Sequence, residues 1–178
     1  MRLGLMLTGL CALAVTGCAS SEAPREGPRV RTGQARLPVV IRPLFPADYM
    51  ATASSIDLYE IRSAELALTR TPTPHIRDFA RVMIANHQGT SAQLSFAGRR
   101  LNLLPTATML PAHQALFDEL SASGNFDATF SRQQIAVHQA AWKLHSDFAA
   151  RGESPTLQSV ARNAAPIERR HLQMLRRK

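Results

Sequence analysis

The sequence predicts an all-α fold, a four-helix bundle with a short extra helix between its second and third long helices. From residue 46 onward Ala, Leu and Ile recur at steps of three and four residues, which is the spacing of one face of an amphipathic helix. No segment alternates apolar and polar residues with the period of two that a half-buried strand needs. Gly and Pro are concentrated in the gaps between these helical segments, so the element boundaries can be placed.

Residues 1–17 predict a lipoprotein signal peptide. Arg2 precedes an apolar and small run from Leu3 to Val15, which is shorter than the roughly 20 residues that a membrane-spanning helix needs. The run is followed by Gly17-Cys18. A cysteine preceded by small residues resembles the sites that a lipoprotein signal peptidase cleaves. We therefore expect cleavage before Cys18 and lipidation of that cysteine. An ordinary secretory signal with an incidental cysteine is the alternative.

Residues 18–45 predict a lipidated cysteine followed by a flexible tether. The segment is rich in Pro, Gly, Ser and Arg and has no sustained apolar period. Ala19 follows the cysteine at the position where inner-membrane retention signals typically have Asp. The outer membrane is therefore the expected location. The domain over residues 46–178 would then face the periplasm. It would contain no disulfide, because Cys11 lies in the leader.

Four long helices and one short helix are expected in this domain. Their ranges are about 48–69, 74–103, 112–120, 127–150 and from 155 to the C-terminus. Thr73 and Pro74 suit the start of the second helix, because a proline at the first helical position sacrifices no hydrogen bond. Gly152 closes the third long helix. The link between the second and third long helices is long enough for either a local return or a crossover along the bundle.

The chain is basic, with 21 Lys and Arg against 13 Asp and Glu. Arginine clusters at residues 99–100, 169–170 and 176–177 could contact anionic lipid headgroups, or could form an ordinary solvated surface. We expect no nucleic-acid partner, because neither aromatic interleaving nor a base-reading module accompanies the charge. No Ser-His-Asp arrangement, phosphate loop or cysteine pair indicates hydrolysis, nucleotide binding or thiol chemistry.

Five polar residues interrupt the apolar faces of the long helices. They are Glu60 on the first, His87 on the second, His138 on the third, and Glu168 and His171 on the fourth. Counted from the two tight turns, all five fall near the middle of the bundle. Helical bundles build metal sites there from carboxylates and imidazoles on facing helices.

Two interpretations of this cluster stay open. In the first, two or three imidazoles and one or two carboxylates hold a transition metal ion such as Zn, Cu or Fe. In the second, the same groups form a buried hydrogen-bonded network that fixes helix register and binds nothing. The other histidines, His75, His113 and His145, are closer to helix ends or on outer faces, and we expect them on the surface.

Four segments carry a resemblance to a known family. They are Tyr59-Glu60 through Leu68, Phe79 to His87, Ser123 to His138, and Pro166-Ile167 with His171-Leu172. With these segments in this order and spacing, over about residues 45–175, the chain resembles the domain-of-unknown-function 4142 family of bacterial envelope proteins. The resemblance implies a ferritin-like bundle that is often exported, without an established activity.

The resemblance also bears on the type of metal site. Ferritin-like di-iron proteins resemble one another in a Glu on each of two helices and a Glu-x-x-His motif on each of the other two. Here Glu168 and His171 fit the motif, and Glu60 supplies one further carboxylate. Ile84 and His138 stand where the pattern has Glu. The resemblance therefore implies a mononuclear, nitrogen-rich site, or a vestige of one, rather than a di-iron oxidase centre.

The sequence thus predicts a membrane-anchored helical domain that binds a metal or a partner rather than catalysing a reaction. A metal-dependent redox enzyme is one alternative, and it needs carboxylates that the second helix lacks. A structural or envelope-stress protein is the other. In that case the histidines belong to the core and the arginines touch anionic lipid.

Overall fold

A computed structural model describes residues 45–176, and these residues form five α-helices and no strand. The helices are α1 (Pro46–Arg70), α2 (Pro74–Arg100), α3 (Pro111–Ala122), α4 (Phe126–Arg151) and α5 (Pro155–Leu175). The predicted all-α bundle with a short helix between its second and third long helices is therefore confirmed. The predicted leader over residues 1–17, Cys18, the tether up to residue 44 and the last two residues lie outside the described part.

The four long helices pack as a square in which neighbours are antiparallel. The start of α1 lies beside the end of α4, where the Tyr49 hydroxyl is 2.9 Å from His145 Nδ1. The end of α1 lies beside the start of α4, where the Arg70 guanidinium is 4.9 Å from the centre of the Phe126 ring. Helix α1 also packs on α2, and α5 packs on both α2 and α4. Helices α2 and α4 therefore occupy opposite corners and run in the same direction.

The link from α2 to α4 is a crossover along the bundle, because two parallel helices cannot be joined by a local return. Helix α3 travels this distance while packing on α1 and α4. Near its start His113 Nδ1 lies 2.6 Å from Ser55 Oγ, and near its end Arg70 donates to the Ser121 carbonyl at 2.6 Å. One long crossover is the connectivity of ferritin-like bundles.

Proline and glycine set several of the helix ends. Proline begins α1, α2, α3 and α5. Helix α2 ends at Arg100, earlier than the expected residue 103, because the N–H groups of Leu101 and Leu103 both donate to the Gly98 carbonyl. Asn102 follows with φ of 53°. A Cβ on Gly98 would overlap the carbonyl oxygen of Leu103, so only glycine permits this turn.

Two apolar clusters fill the bundle on either side of a polar middle. The cluster at the end where α1 begins includes Tyr49, Leu94, Leu144, Phe148 and Leu157. The cluster at the opposite end includes Ala67, Phe79, Met83, Phe126 and Phe130. Within residues 45–176 no helix is both long and apolar enough to cross a bilayer.

The expectation that His113 and His145 lie on the surface is wrong. Their side chains are 3% and 4% exposed. His113 is covered because α3 lies against α1 rather than projecting into solvent. Ser55 Oγ accepts the Leu110 N–H at 2.7 Å and can donate its own proton to His113 Nδ1, so the serine ties the crossover to α1.

Burial lowers the pKa of His113 to about 4. As the pH falls from about 6.5, the unfolded chain binds a proton at this histidine before the folded protein does, so the free energy of unfolding must decrease down to about pH 4. We predict that His113→Asn, which keeps an acceptor for Ser55, makes this decrease shallower. Urea denaturation at pH 7.5 and pH 5 would measure it, and a slope equal to that of the wild type would contradict the prediction.

Candidate metal centre

A layer of seven buried polar side chains crosses the middle of the bundle, and all four long helices contribute to it. Its members are Asp57 and Glu60 from α1, His87 from α2, His138 and His145 from α4, and Glu168 and His171 from α5. We call these residues the polar layer. The structure brings all five residues that the sequence singled out into this layer, and each of those five is 0% exposed.

Three imidazole nitrogens converge in the polar layer. His138 Nε2 is 3.0 Å from His171 Nδ1, and His87 Nε2 is 3.3 Å from the same His171 nitrogen. A metal ion held tetrahedrally at about 2.0 Å from each ligand needs ligand atoms about 3.3 Å apart. Both distances to His171 Nδ1 therefore match the separation of ligand atoms around a metal ion.

Contacts on the far side of each ring determine which nitrogen faces the centre. His138 Nδ1 donates to the Gln134 carbonyl at 2.7 Å, so in a neutral ring its Nε2 has the free lone pair. His87 Nδ1 lies 3.0 Å from Asp57 Oδ1, leaving its Nε2 for the centre. His171 Nε2 is 2.9 Å from Asn86 Nδ2, and turning that amide by 180° would place its oxygen there instead.

Four carboxylate oxygens in the polar layer accept no hydrogen bond. They are both oxygens of Glu60 and both oxygens of Glu168. Glu60 Oε2 is 3.0 Å from His87 Nδ1, whose hydrogen bond goes to Asp57. Glu60 Oε1 is 3.5 Å and Glu168 Oε2 is 3.9 Å from His138 Nε2. A buried carboxylate without hydrogen bonds or a cation is costly. A bound cation would relieve that cost.

Two overlapping groups of ligand atoms are each compact enough to hold an ion. The atoms offered by His87, His138, Glu168 and His171 all lie within 4.8 Å of one another, and so do those offered by Asp57, Glu60 and His87. Imidazole nitrogens with one or two carboxylate oxygens form a donor set suited to Zn, Cu or Fe. The residues present therefore fit a transition metal ion.

Opposing effects act on the pKa of His87. Burial lowers it, but the charges of Glu60 and Glu168, with the hydrogen bond to Asp57, outweigh burial and raise it well above its usual range. Burial also raises the pKa of Glu168 well above its usual range, and Glu60 adds to this effect. Without a metal, this side of the polar layer therefore retains protons.

The pKa shifts of the other two central histidines run the opposite way. Burial lowers the pKa of His138 well below its usual range, and the neighbouring His87 and His171 lower it further. Burial, His87 and Arg170 lower the pKa of His171 to about 3. Both rings are therefore neutral near pH 7, which is the form that binds metal ions.

Asp57 is a member of the polar layer that sequence reasoning missed. It accepts hydrogen bonds from Thr90 and Ser91, both at 2.9 Å, as well as contacting His87. It lies three residues before Glu60, so the two carboxylates share a face of α1. That helical spacing is the signal that could have identified it.

His145 is the second missed member, and it lies two turns after His138 on the same face of α4. Burial raises the pKa of Tyr49, so that hydroxyl keeps its proton and can donate to His145 Nδ1 at 2.9 Å. The N–H on His145 Nε2 then faces Glu168 Oε1 at 3.8 Å. In this orientation His145 supports the carboxylate and offers no lone pair to the centre.

Comparison with known proteins gives one family and one set of similar folds. The model of the family described as a domain of unknown function (DUF4142) matches residues 44–177. The solved structure of CopM in its Cu(II)-bound form is 20% identical, with a TM-score of 0.62 over 74% of this chain and 93% of that chain. No curated protein sequence matches.

Two further structures of CopM show the same likeness. The Ag-bound form is 20% identical, with a TM-score of 0.60 over 74% of this chain and 92% of that chain. The apo form is 20% identical, with a TM-score of 0.61 over 74% of this chain and 93% of that chain. At this level of identity the likeness establishes a shared helical fold.

The unpaired carboxylates give a prediction for the metal-free protein. Glu168→Gln should raise the free energy of unfolding at pH 7 by about 1–3 kcal/mol, because it removes an acid whose ionised form burial destabilises. The gain should shrink towards pH 4, because the raised pKa of Glu168 destabilises the folded protein only at pH values where the unfolded chain ionises this group. Urea denaturation at both pH values would measure it.

Glu65→Gln is the matched control, because Glu65 is an exposed residue of α1. Its effect should stay within about 0.5 kcal/mol at either pH. A Glu168→Gln variant that is less stable than the wild type at pH 7 would show that the carboxylate is compensated in the metal-free protein.

Proposed function

The chain belongs to the family described as a domain of unknown function (DUF4142), and on that premise we propose that its bundle binds a transition metal ion in the polar layer. The observation that carries the proposal is the convergence of three imidazole nitrogens beside four carboxylate oxygens that accept no hydrogen bond. The proposed ligands are His87 Nε2, His138 Nε2 and His171 Nδ1. Glu168 supplies the fourth ligand, because its carboxylate groups with these three nitrogens, whereas Glu60 groups with Asp57 and His87.

Copper is the first candidate for the ion. Imidazole-rich sites suit Cu and Zn, and among divalent first-row ions copper binds a given nitrogen and oxygen donor set most tightly. The similar fold of CopM, solved in Cu(II)-bound and Ag-bound forms, supports this choice. Zinc and iron are the alternatives that the same donor set allows.

Binding would exchange protons for the ion. His171 Nδ1 lies within 3.3 Å of two other ring nitrogens, so at least one proton must lie among the three when no metal is bound. The ion takes the place of that proton. The Nε2–H of His171 can then donate to the side-chain oxygen of Asn86. Affinity should therefore decrease as the pH falls.

We predict that the purified chain, prepared without a histidine tag, binds about one equivalent of Cu(II) and melts at a higher temperature when it is loaded. His87→Ala and His171→Ala should each lower the affinity at least about tenfold, as loss of a direct ligand should exceed the 10–100-fold cost of losing a supporting residue. Elemental analysis and melting curves with Cu, Zn and Fe salts would measure both.

His113→Asn is the control for this experiment, because it removes a buried histidine outside the polar layer. It should bind as much metal as the wild type. If the two alanine variants also bind as the wild type does, the site lies elsewhere. If the wild type binds no metal and its melting temperature does not move, the polar layer is a hydrogen-bonded network that fixes helix register.

We also propose that the chain is exported and anchored through Cys18, with its bundle facing the periplasm from the outer membrane. The support is the leader pattern of residues 1–18, which lie outside the described part of the chain. The arginines at positions 99, 100, 169 and 170 are exposed, so they are free to contact anionic lipid headgroups.

We predict that Cys18→Ser abolishes lipid attachment, because serine has no thiol to alkylate, and that it leaves the leader uncleaved, because lipidation precedes cleavage. Radiolabelled palmitate incorporation would measure the loss of lipid, with Cys11→Ser as the matched control. If the Cys18→Ser protein incorporates as much palmitate as the wild type, anchoring through that cysteine is excluded.

A further inference from the structure

The proposed metal site is closed to solvent. The side chains of His87, His138, Glu168 and His171 are 0% exposed, and so is that of Glu60. An ion from solution therefore needs a route through the surrounding side chains, and a buried metal site requires such a route to fill at a useful rate.

A cavity of about 360 Å³ opens at the end of the bundle where α1 finishes. It lies between the first turns of α2, the early part of α4 and the last turn of α5. His75, Phe79, Ser131 and Met174 contribute to its lining. His75 is exposed and Met174 is half-buried, so an ion can reach both from solvent.

Phe79 is common to the cavity and to the metal site. It lines the cavity, yet it is only 4% exposed. The centre of its ring is 5.9 Å from that of His138 and 5.7 Å from that of His171. The ring therefore separates the cavity from the metal site. A rotation of this side chain would connect the two.

The groups above this ring can bind metals. Met174 follows His171 by three residues on α5, so it lies about one turn further along the same face. His75 precedes Phe79 by four residues on α2 and likewise shares its face. Imidazole binds both Cu and Zn, whereas a thioether selects Cu⁺. The cavity thus has one ligand of each kind.

We propose that this cavity is the loading port of the metal site, where His75 and Met174 bind the incoming ion transiently and the Phe79 ring controls its passage to His171 and His138. The proposal rests on the metal site proposed above. It adds a kinetic preference for Cu⁺ over Zn²⁺, which the buried donors alone do not give. Because Met174 supplies a thioether, the port should pass Cu⁺ faster than it passes Zn²⁺.

The test is the rate of loading and release with two probe ions. The full chain would be mixed anaerobically with Cu⁺ held by a weak chelator, and separately with Zn²⁺, and the transfer followed by stopped flow. Met174→Leu should slow Cu⁺ loading several-fold and leave Zn²⁺ loading unchanged. His75→Ala should slow both. Neither substitution should change the final amount of metal bound.

Phe79→Leu should speed both loading and release of either ion, because a smaller and more flexible side chain replaces the ring. Asn163→Ala is the control, since Asn163 lines a separate cavity of about 330 Å³ between α2 and α5. It should change no rate.

Two results would overturn the port. One is wild-type loading rates in both His75→Ala and Met174→Leu, and the other is equal slowing by Asn163→Ala. In either case the chain would still bind metal and the proposed function would stand. A wild-type chain that takes up neither Cu⁺ nor Zn²⁺ would overturn the port, and the proposed function falls with it only if the chain also binds no Cu(II) and no Fe.

Discussion

The burial of two carboxylates among imidazoles at the centre of the bundle is the constraint on which the rest of the structure depends. Glu60 and Glu168 accept no hydrogen bond, and the nearest imidazole nitrogen to either is His87 Nδ1, 3.0 Å from Glu60 Oε2. Their compensation therefore comes from the histidines around them or from a cation. The two carboxylates come from α1 and α5, at opposite corners of the square. His87 and His138 come from the other two corners. A shift of any long helix by one residue would separate these groups.

The residues around the three central imidazoles form a second layer that orients them. Thr90 and Ser91 donate hydrogen bonds to Asp57, and Asp57 accepts the Nδ1–H of His87. The Gln134 carbonyl accepts the Nδ1–H of His138. Supporting contacts of this kind fix the tautomer and ring direction of metal-binding histidines. Ile84 stands where a di-iron protein has Glu, and it packs against the apolar cluster. That apolar contact replaces a carboxylate and leaves the centre rich in nitrogen.

The sequence predicted the helices well because proline and glycine mark their ends, and it found the central residues because they interrupt apolar faces. It could not choose the crossover, since periodicity carries no information about helix direction. It misplaced His113 and His145, because their burial depends on α3 and on Tyr49, which are distant in sequence. It overlooked Asp57, although a carboxylate three residues before Glu60 occupies the same face. Hydrogen bonds from α2 make that position tolerable, and no local pattern predicts them.

The crossover also divides the chain into two helical hairpins, α1–α2 and α4–α5, and the central groups are shared between them. Of the polar layer, the first hairpin supplies Asp57, Glu60 and His87, and the second supplies His138, His145, Glu168 and His171. Neither hairpin alone supplies the three imidazoles that converge, because His87 comes from the first hairpin and His138 and His171 come from the second. An ion would therefore bind between the two hairpins and join halves that only residues 101–125 connect covalently. Metal binding at this position would then require that both hairpins have folded and packed against each other. If two chains exchanged hairpins, each of the two resulting bundles would contain the same set of central residues.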